Sequence, residues 1–257
     1  MKRAREDEDD GGLKRPPPPP PPPPPQEKIV ELRGNCFLEA EWYQPPDTKE
    51  MEDYRSGDAP TVEIPFSGDV KMRGAPPGAS GDMSLEAYYV PASRRGEVVD
   101  VTMKMYPHSI YLAAFYSELP KNAPRGLMRD ALSFLLSDAV FKAKEAGMPL
   151  PFFWLKASGY VRGLSPKPTE EEESEWATFF EENGRHHPEE VQRERQLIDF
   201  YKRTLGVKDI LSGAEAEHAL EVKKMVPLGA PVQVVLQKLQ DHAVRGGACP
   251  LDRLCHG

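Results

Sequence analysis

The chain has 257 residues, 39% of them hydrophobic, enough for one sizeable core with appendages. Its formal net charge of −8 argues against nucleic-acid binding by the surface as a whole, and no apolar run approaches the roughly 18 residues that a membrane helix needs. Three cysteines (Cys36, Cys249 and Cys255) fit a reducing compartment, and the N-terminus lacks a signal-peptide core, so a soluble cytoplasmic or nuclear protein is expected.

Residues 1–26 read as a disordered tail. Lys2, Arg3 and Arg5 precede an acidic run from Glu6 to Asp10, and Lys14 and Arg15 lead into ten prolines, Pro16 to Pro25. Ten prolines in a polyproline helix span roughly 31 Å at about 3.1 Å per residue. Two readings of the proline run stay open, a low-complexity spacer and a ligand for a proline-binding domain. The paired basic clusters are open in the same way, between a solvated tail and a bipartite nuclear-import signal.

Residues 27–107 read as β-rich with irregular loops. Ile29–Leu32 and Cys36–Trp42 form short strands around Gly34, and Gln44–Pro60 is a loop or short helix. The run from Gly74 to Gly81 is a flexible connector. Leu85–Val90 and Val98–Met105 flank Arg94-Arg95-Gly96, which predicts a hairpin.

From Ser109 to Leu228 the order is strand, turn, long helix, strand, helix, strand. Ile110–Tyr116 is a buried strand, followed by a Pro/Arg/Gly turn from Pro120 to Gly126. Leu127, Met128, Ala131, Leu132, Leu135, Leu136, Ala139, Val140 and Ala143 then recur at three- and four-residue spacing, predicting a helix that Gly147 ends. Pro151–Leu155 is a short buried strand. Residues 160–187 interrupt the pattern with an acidic run, Glu170–Glu173, and with Trp176, Phe179 and Phe180 on one helical face. A helix from Pro188 to before Gly206 follows, Glu221–Leu228 closes as a strand, and Ala230–Ala243 is a C-terminal helix. A helix linking two strands of one sheet implies an α/β layer architecture. A basic turn and helix N-terminus directly after a buried strand suit a phosphate-bearing cofactor.

This order resembles the GNAT superfamily of acyl-CoA-dependent N-acyltransferases, over about 120 residues with residues 85–105 as lead-in strands. The motifs that carry it are the strand and basic turn at 110–128, Phe-Tyr-Lys-Arg-Thr-Leu-Gly at 200–206, and Met-Val-Pro-Leu at 225–228. The resemblance implies a mixed, mostly antiparallel central sheet flanked by helices. Domain boundaries follow: the tail (1–26), a GNAT-like domain (27–229, core 85–229, insertion about 160–187), and a C-terminal helix and tail (230–257). It further implies that the strand at 110–116 splays from its neighbour to admit a pantetheine arm, and that the turn at 121–128 wraps a pyrophosphate. The cofactor-binding residues are then Tyr116, Leu119, Lys121, Arg125, Gly126, Leu127, Met128 and Arg129. Tyr201 corresponds to the tyrosine that protonates the leaving thiolate, and Glu118 is the base candidate nearest the strand, with His108 the other. The implied reaction moves an acetyl group from acetyl-CoA, a cosubstrate, to a primary amine on a small molecule or protein.

The turn departs from the family's Arg/Gln-x-x-Gly-x-Gly/Ala pattern, since Ala123 and Met128 stand at its first and last defining positions. Asp130 adds a negative charge in the first helical turn, while Lys121, Arg125 and Arg129 supply cations. Two functions therefore stay open: an N-acetyltransferase, and a non-catalytic interaction or structural protein whose tail recruits partners. The acidic run reads either as a solvated helix face or as an attractor for a cationic amine. His186–His187 and the Cys249, Cys255, His256 group lack zinc-site spacing, so no metal is expected.

Overall fold

The structure, a computed structural model, describes residues 26–42, 52–53, 55–57, 61–120, 122–157, 160–161, 167–222, 226–244, 251 and 254–255. The tail, Lys121, most of the 44–60 segment, Cys249 and His256 lie outside these residues.

Eight strands form one sheet in the order β1-β2-β3-β4-β5-β6-β9-β8. They are β1 (Gln26–Glu31), β2 (Cys36–Trp42), β3 (Val62–Met72), β4 (Ser80–Tyr89), β5 (His108–Ser117), β6 (Phe152–Lys156), β8 (Lys208–Asp209) and β9 (Pro227–Pro231). Every neighbouring pair is antiparallel except β5 and β6. A second, two-stranded sheet pairs β7 (Tyr160–Val161) with β10 (Leu254–Cys255). The α-helices among the described residues are α1 (Val101–Met105), α2 (Leu127–Glu145), α3 (Glu170–Asn183), α4 (Pro188–Leu205), α5 (Gly213–Val222) and α6 (Val232–Val244). The expected α/β architecture with a mixed, mostly antiparallel sheet is present.

Parallel strands need a long crossover, and α2 provides it between β5 and β6. Its apolar stripe, Leu127, Met128, Ala131, Leu132, Leu135, Leu136, Ala139 and Ala143, is fully or nearly fully buried. It faces the alternating inward residues of β2 (Cys36, Leu38, Ala40), β3 (Ile64, Phe66, Val70) and β4 (Met83, Leu85, Ala87). Packing of α6 against α2, α4, β6 and β9 extends the same layer across the other half of the sheet. Tyr201, Leu197 and Val235 belong to that continuous core.

Four expectations need correction. Leu85–Val90 and Val98–Met105 do not form a hairpin: Leu85 lies in the middle of β4, whose partners are β3 and β5, and residues 101–105 are the helix α1. The Asp100 side chain caps α1 by accepting from the Thr102 N–H at 2.8 Å, and this local bond overrides the strand preference of Val98, Val99 and Val101. The strand placed at 221–228 begins only at Pro227, because Glu221 and Val222 end α5, a helix that sequence periodicity did not signal. Ala230 and Pro231 belong to β9, and α6 starts at Val232. The connector at 74–81 is a hairpin turn whose last two residues already open β4.

Candidate functional site

β5 and β6 pair over four residues, Ser109 with Phe152 through Leu112 with Leu155. β5 continues to Ser117 along β4, while β6 stays with β9 to its own end at Lys156, one residue further on. The β5–β6 ladder ends where the β4–β5 register slips: Leu85 faces Leu112, but Ser84 faces Ala114, so Ala113 is the extra, bulged residue. A bulge bends its strand and increases local twist. The strand expected at Ile110–Tyr116 is β5.

Nine residues beyond Ser117, α2 begins after Gly126, which has φ +84° and no side-chain cap on the helix it precedes. The first intrahelical bond runs from the Asp130 N–H to the Gly126 carbonyl at 3.0 Å, so the N–H groups of Leu127, Met128 and Arg129 lie ahead of the helical ladder. That end of α2 carries the positive half of the helix dipole.

The expected cofactor residues divide into groups. Leu127 is 1% and Met128 0% exposed, backbone included. The Met128 sulfur sits 2.3 Å from where a Cβ on Gly81 would be, with Leu119 3.5 Å from the same point. Gly81 pairs with Ser117 on the β4 side of β5, so Met128 fills space there rather than between β5 and β6. Arg129 is 3% exposed and folds back over Gly126, with Nη2 2.8 Å from a would-be Cβ. Its Nε donates to Asp130 Oδ1 at 2.7 Å, and Arg33 from the β1–β2 turn binds Asp130 Oδ2 at 2.6 Å. Two guanidinium groups thus meet the one carboxylate expected to repel an anion, leaving this corner with a surplus positive charge. Arg125 is exposed and Lys121 lies outside the described residues.

Tyr116 points to the opposite face of the sheet from Phe115, which is in the core. There its hydroxyl donates to Asp82, and that hydrogen bond, with burial and the Asp82 charge, pushes the phenol up to about 12. Glu118 is exposed at the end of β5, its N–H bonded to the Ser80 carbonyl at 2.8 Å. Six residues of strand, roughly 20 Å, separate it from Leu112. Tyr201 lies on α4, 4% exposed, its ring edge-on to Phe200 at 5.6 Å. Burial, then the nearby Glu194 charge, raises its phenol well above the usual value. His108 opens β5 beside Tyr89, and burial followed by the Arg95 charge lowers it. Of the acidic run, Glu172 completes a capping box with Thr169 and pairs with Arg193, a structural role at the start of α3.

Residues not singled out by the sequence line the sheet face away from α2. Glu86 stands directly across from Tyr111, and Tyr111 stacks on Trp154 at 4.2 Å, next to the point where β5 and β6 part. Tyr88 donates to Glu86, and the Trp154 indole N–H donates to Ser109 Oγ at 3.0 Å. Lys156 pairs with Asp100 at 2.9 Å. Nearby, Asp69 faces Asp82, and burial, a hydrogen bond and the Asp82 charge push Asp69 up to about 6. Period-two alternation in 80–90 would have put Glu86 and Tyr88 on one face, but only strand register brings them to Tyr111 and Trp154.

No protein-family model matches this chain, and no curated protein or solved structure matches it either. Among the described residues, no helix is long and apolar enough to cross a membrane.

Proposed function

We infer that this chain is a GNAT-like N-acetyltransferase, transferring an acetyl group from acetyl-CoA to a primary amine. The observation that carries the reading is the one parallel pair among the described strands of the main sheet, β5 and β6, whose ladder ends at the bulge of Ala113 and whose crossover is α2. In this reading the backbone of β5 beyond Leu112 pairs with the amides of a pantetheine arm, and the start of α2, with the exposed Arg125 beside it, meets the pyrophosphate. The mixed, mostly antiparallel sheet that the resemblance implies also supports the reading.

In this mechanism the amine nitrogen attacks the thioester carbonyl, the C–S bond breaks, and the departing sulfur takes a proton from Tyr201 while a carboxylate takes one from the nitrogen. A buried tyrosine with a raised pKa stays protonated at neutral pH, as a proton donor must. Two carboxylates compete for the base. Glu118 follows β5 directly, whereas Glu86 faces Tyr111 one residue before the β5–β6 ladder ends. Mass-shift detection of acetylated product from acetyl-CoA and a panel of primary amines tests the reading; no product from any amine class, with the protein folded, sinks it.

The second reading, a non-catalytic descendant of the same fold, is favoured by the enclosure of Tyr201 and by the bulk of Met128 where the family pattern has Gly or Ala. Coenzyme A binding separates the two.

A further inference from the structure

We propose that a cavity on the helical hairpin of α3 and α4 receives a lysine side chain from a basic peptide segment of a partner protein. The site does not depend on the acyltransferase reading. Its volume is about 380 Å³, within the roughly 300–1,000 Å³ of small-ligand sites. Glu173, Trp176, Ala177, Phe180 and Glu181 recur at three- and four-residue spacing and so line it from one face of α3. His186 from the turn and Glu190 from the first turn of α4 complete the lining. These two are held in place: His186 Nδ1 lies 2.9 Å from Glu190 Oε2, and the His186 N–H donates to the Glu221 carbonyl at 2.7 Å.

Aromatic rings and carboxylates together select an alkylammonium. Phe180 is 37% exposed, and its ring lies 4.7 Å from that of His186. The ring quadrupole attracts an ammonium, while the methylene stem of a lysine packs on apolar atoms. The hairpin already holds one cation this way: the Arg193 guanidinium lies 4.8 Å from the centre of the Trp176 ring and pairs with Glu172 at 2.8 Å. Glu173 and Glu181, which line the cavity, enter no ion pair among the described residues. An incoming ammonium therefore meets carboxylates that no internal cation neutralises. The surroundings decide between a free amine and a peptide. The 14 residues of α3 include seven glutamates and no lysine or arginine, and among them Glu172 alone is in an ion pair within the described residues. A field of one sign over a whole helix suits a run of basic residues more than a single charge.

The full chain should be titrated with the synthetic peptide Lys-Gly-Lys-Gly-Lys and followed by amide NMR. Saturable shifts are expected within residues 173–190, a readout that needs no variant to fold. Acetylating the three side-chain amines keeps the stems and removes the charges, and should weaken binding at least about fivefold. Phe180→Ala, at a partly exposed position, should weaken it about two- to fivefold. Glu173→Gln with Glu181→Gln should weaken it more than Glu170→Gln with Glu171→Gln, which removes the same charge outside the lining. No saturable shift at millimolar peptide, equal binding of the acetylated peptide, or unchanged binding by Phe180→Ala overturns the proposal. Binding of n-butylammonium chloride as tight as that of the peptide overturns it too, and assigns the cavity to small amines.

Discussion

Asp69 is a carboxyl group that the fold holds at a disadvantage above neutral pH. Partial burial, a hydrogen bond with Asp82 and the charges of Asp82 and Glu39 raise it to about 6, against the opposing pull of Lys71. Because the folded value lies above the unfolded one of about 4, the native state binds the extra proton, and stability falls as pH rises between about 4 and about 6. Asp69→Asn should therefore raise the melting temperature at pH 7.5 and do so less at pH 4. The side chain is half exposed, so solvent screening holds the gain below about 1 kcal/mol. An equal effect at both pH values would contradict the raised pKa. Tyr201 makes a sharper catalytic prediction. Tyr201→Phe removes one buried hydroxyl and should lower turnover by about 10²-fold with little change in melting temperature; an unchanged rate excludes the acid role. Glu86→Gln should likewise lower turnover, with activity falling below that of Glu118→Gln; the reverse ranking would return the base to the end of β5.

At the scale of elements, α2 is positioned by two close fits. Met128 enters the space above Gly81, where a methyl group would lie 2.3 Å from its sulfur. Gly81→Ala should cost about 1–3 kcal/mol from overpacking. Adding Met128→Ala should make that cost smaller, a coupling of at least about 0.5 kcal/mol in a double-mutant cycle read by denaturant unfolding. Additive costs would mean that the two residues do not meet. Gly126 is the second fit: its φ of +84° and the Arg129 guanidinium 2.8 Å from its missing Cβ both resist a side chain. Helices α2 and α4 were legible in the sequence because apolar residues recur at helical spacing and each ends at a left-handed glycine, Gly147 and Gly206. The strands were less legible. Residues 98–105 have strand-like composition, yet one Asp100 side chain bonded to the Thr102 N–H turns them into a helix. The bulge at Ala113 leaves no mark in the sequence at all, because it is a property of the β4–β5 register, and the same is true of the meeting of Glu86, Tyr111 and Trp154.

For the whole molecule, the proposed function places a long ligand, with a thioester at one end and phosphates at the other, between the end of the β5–β6 ladder and the start of α2. The Arg33–Asp130–Arg129 cluster ties the β1–β2 turn to the start of α2, so the first hairpin of the chain braces the corner expected to hold phosphate. The charge conflict that Asp130 poses in sequence is resolved by a residue 97 positions away, a contact no local pattern could reveal. Acetyl transfer by this chain requires that it bind coenzyme A. Thermal unfolding of the full chain should be followed over a coenzyme A series reaching millimolar concentration. Binding to the native state alone predicts a melting temperature that rises with ligand, by an amount equivalent to about 2.7 kcal/mol at a hundredfold excess over Kd. A melting temperature that does not move at millimolar coenzyme A would contradict it.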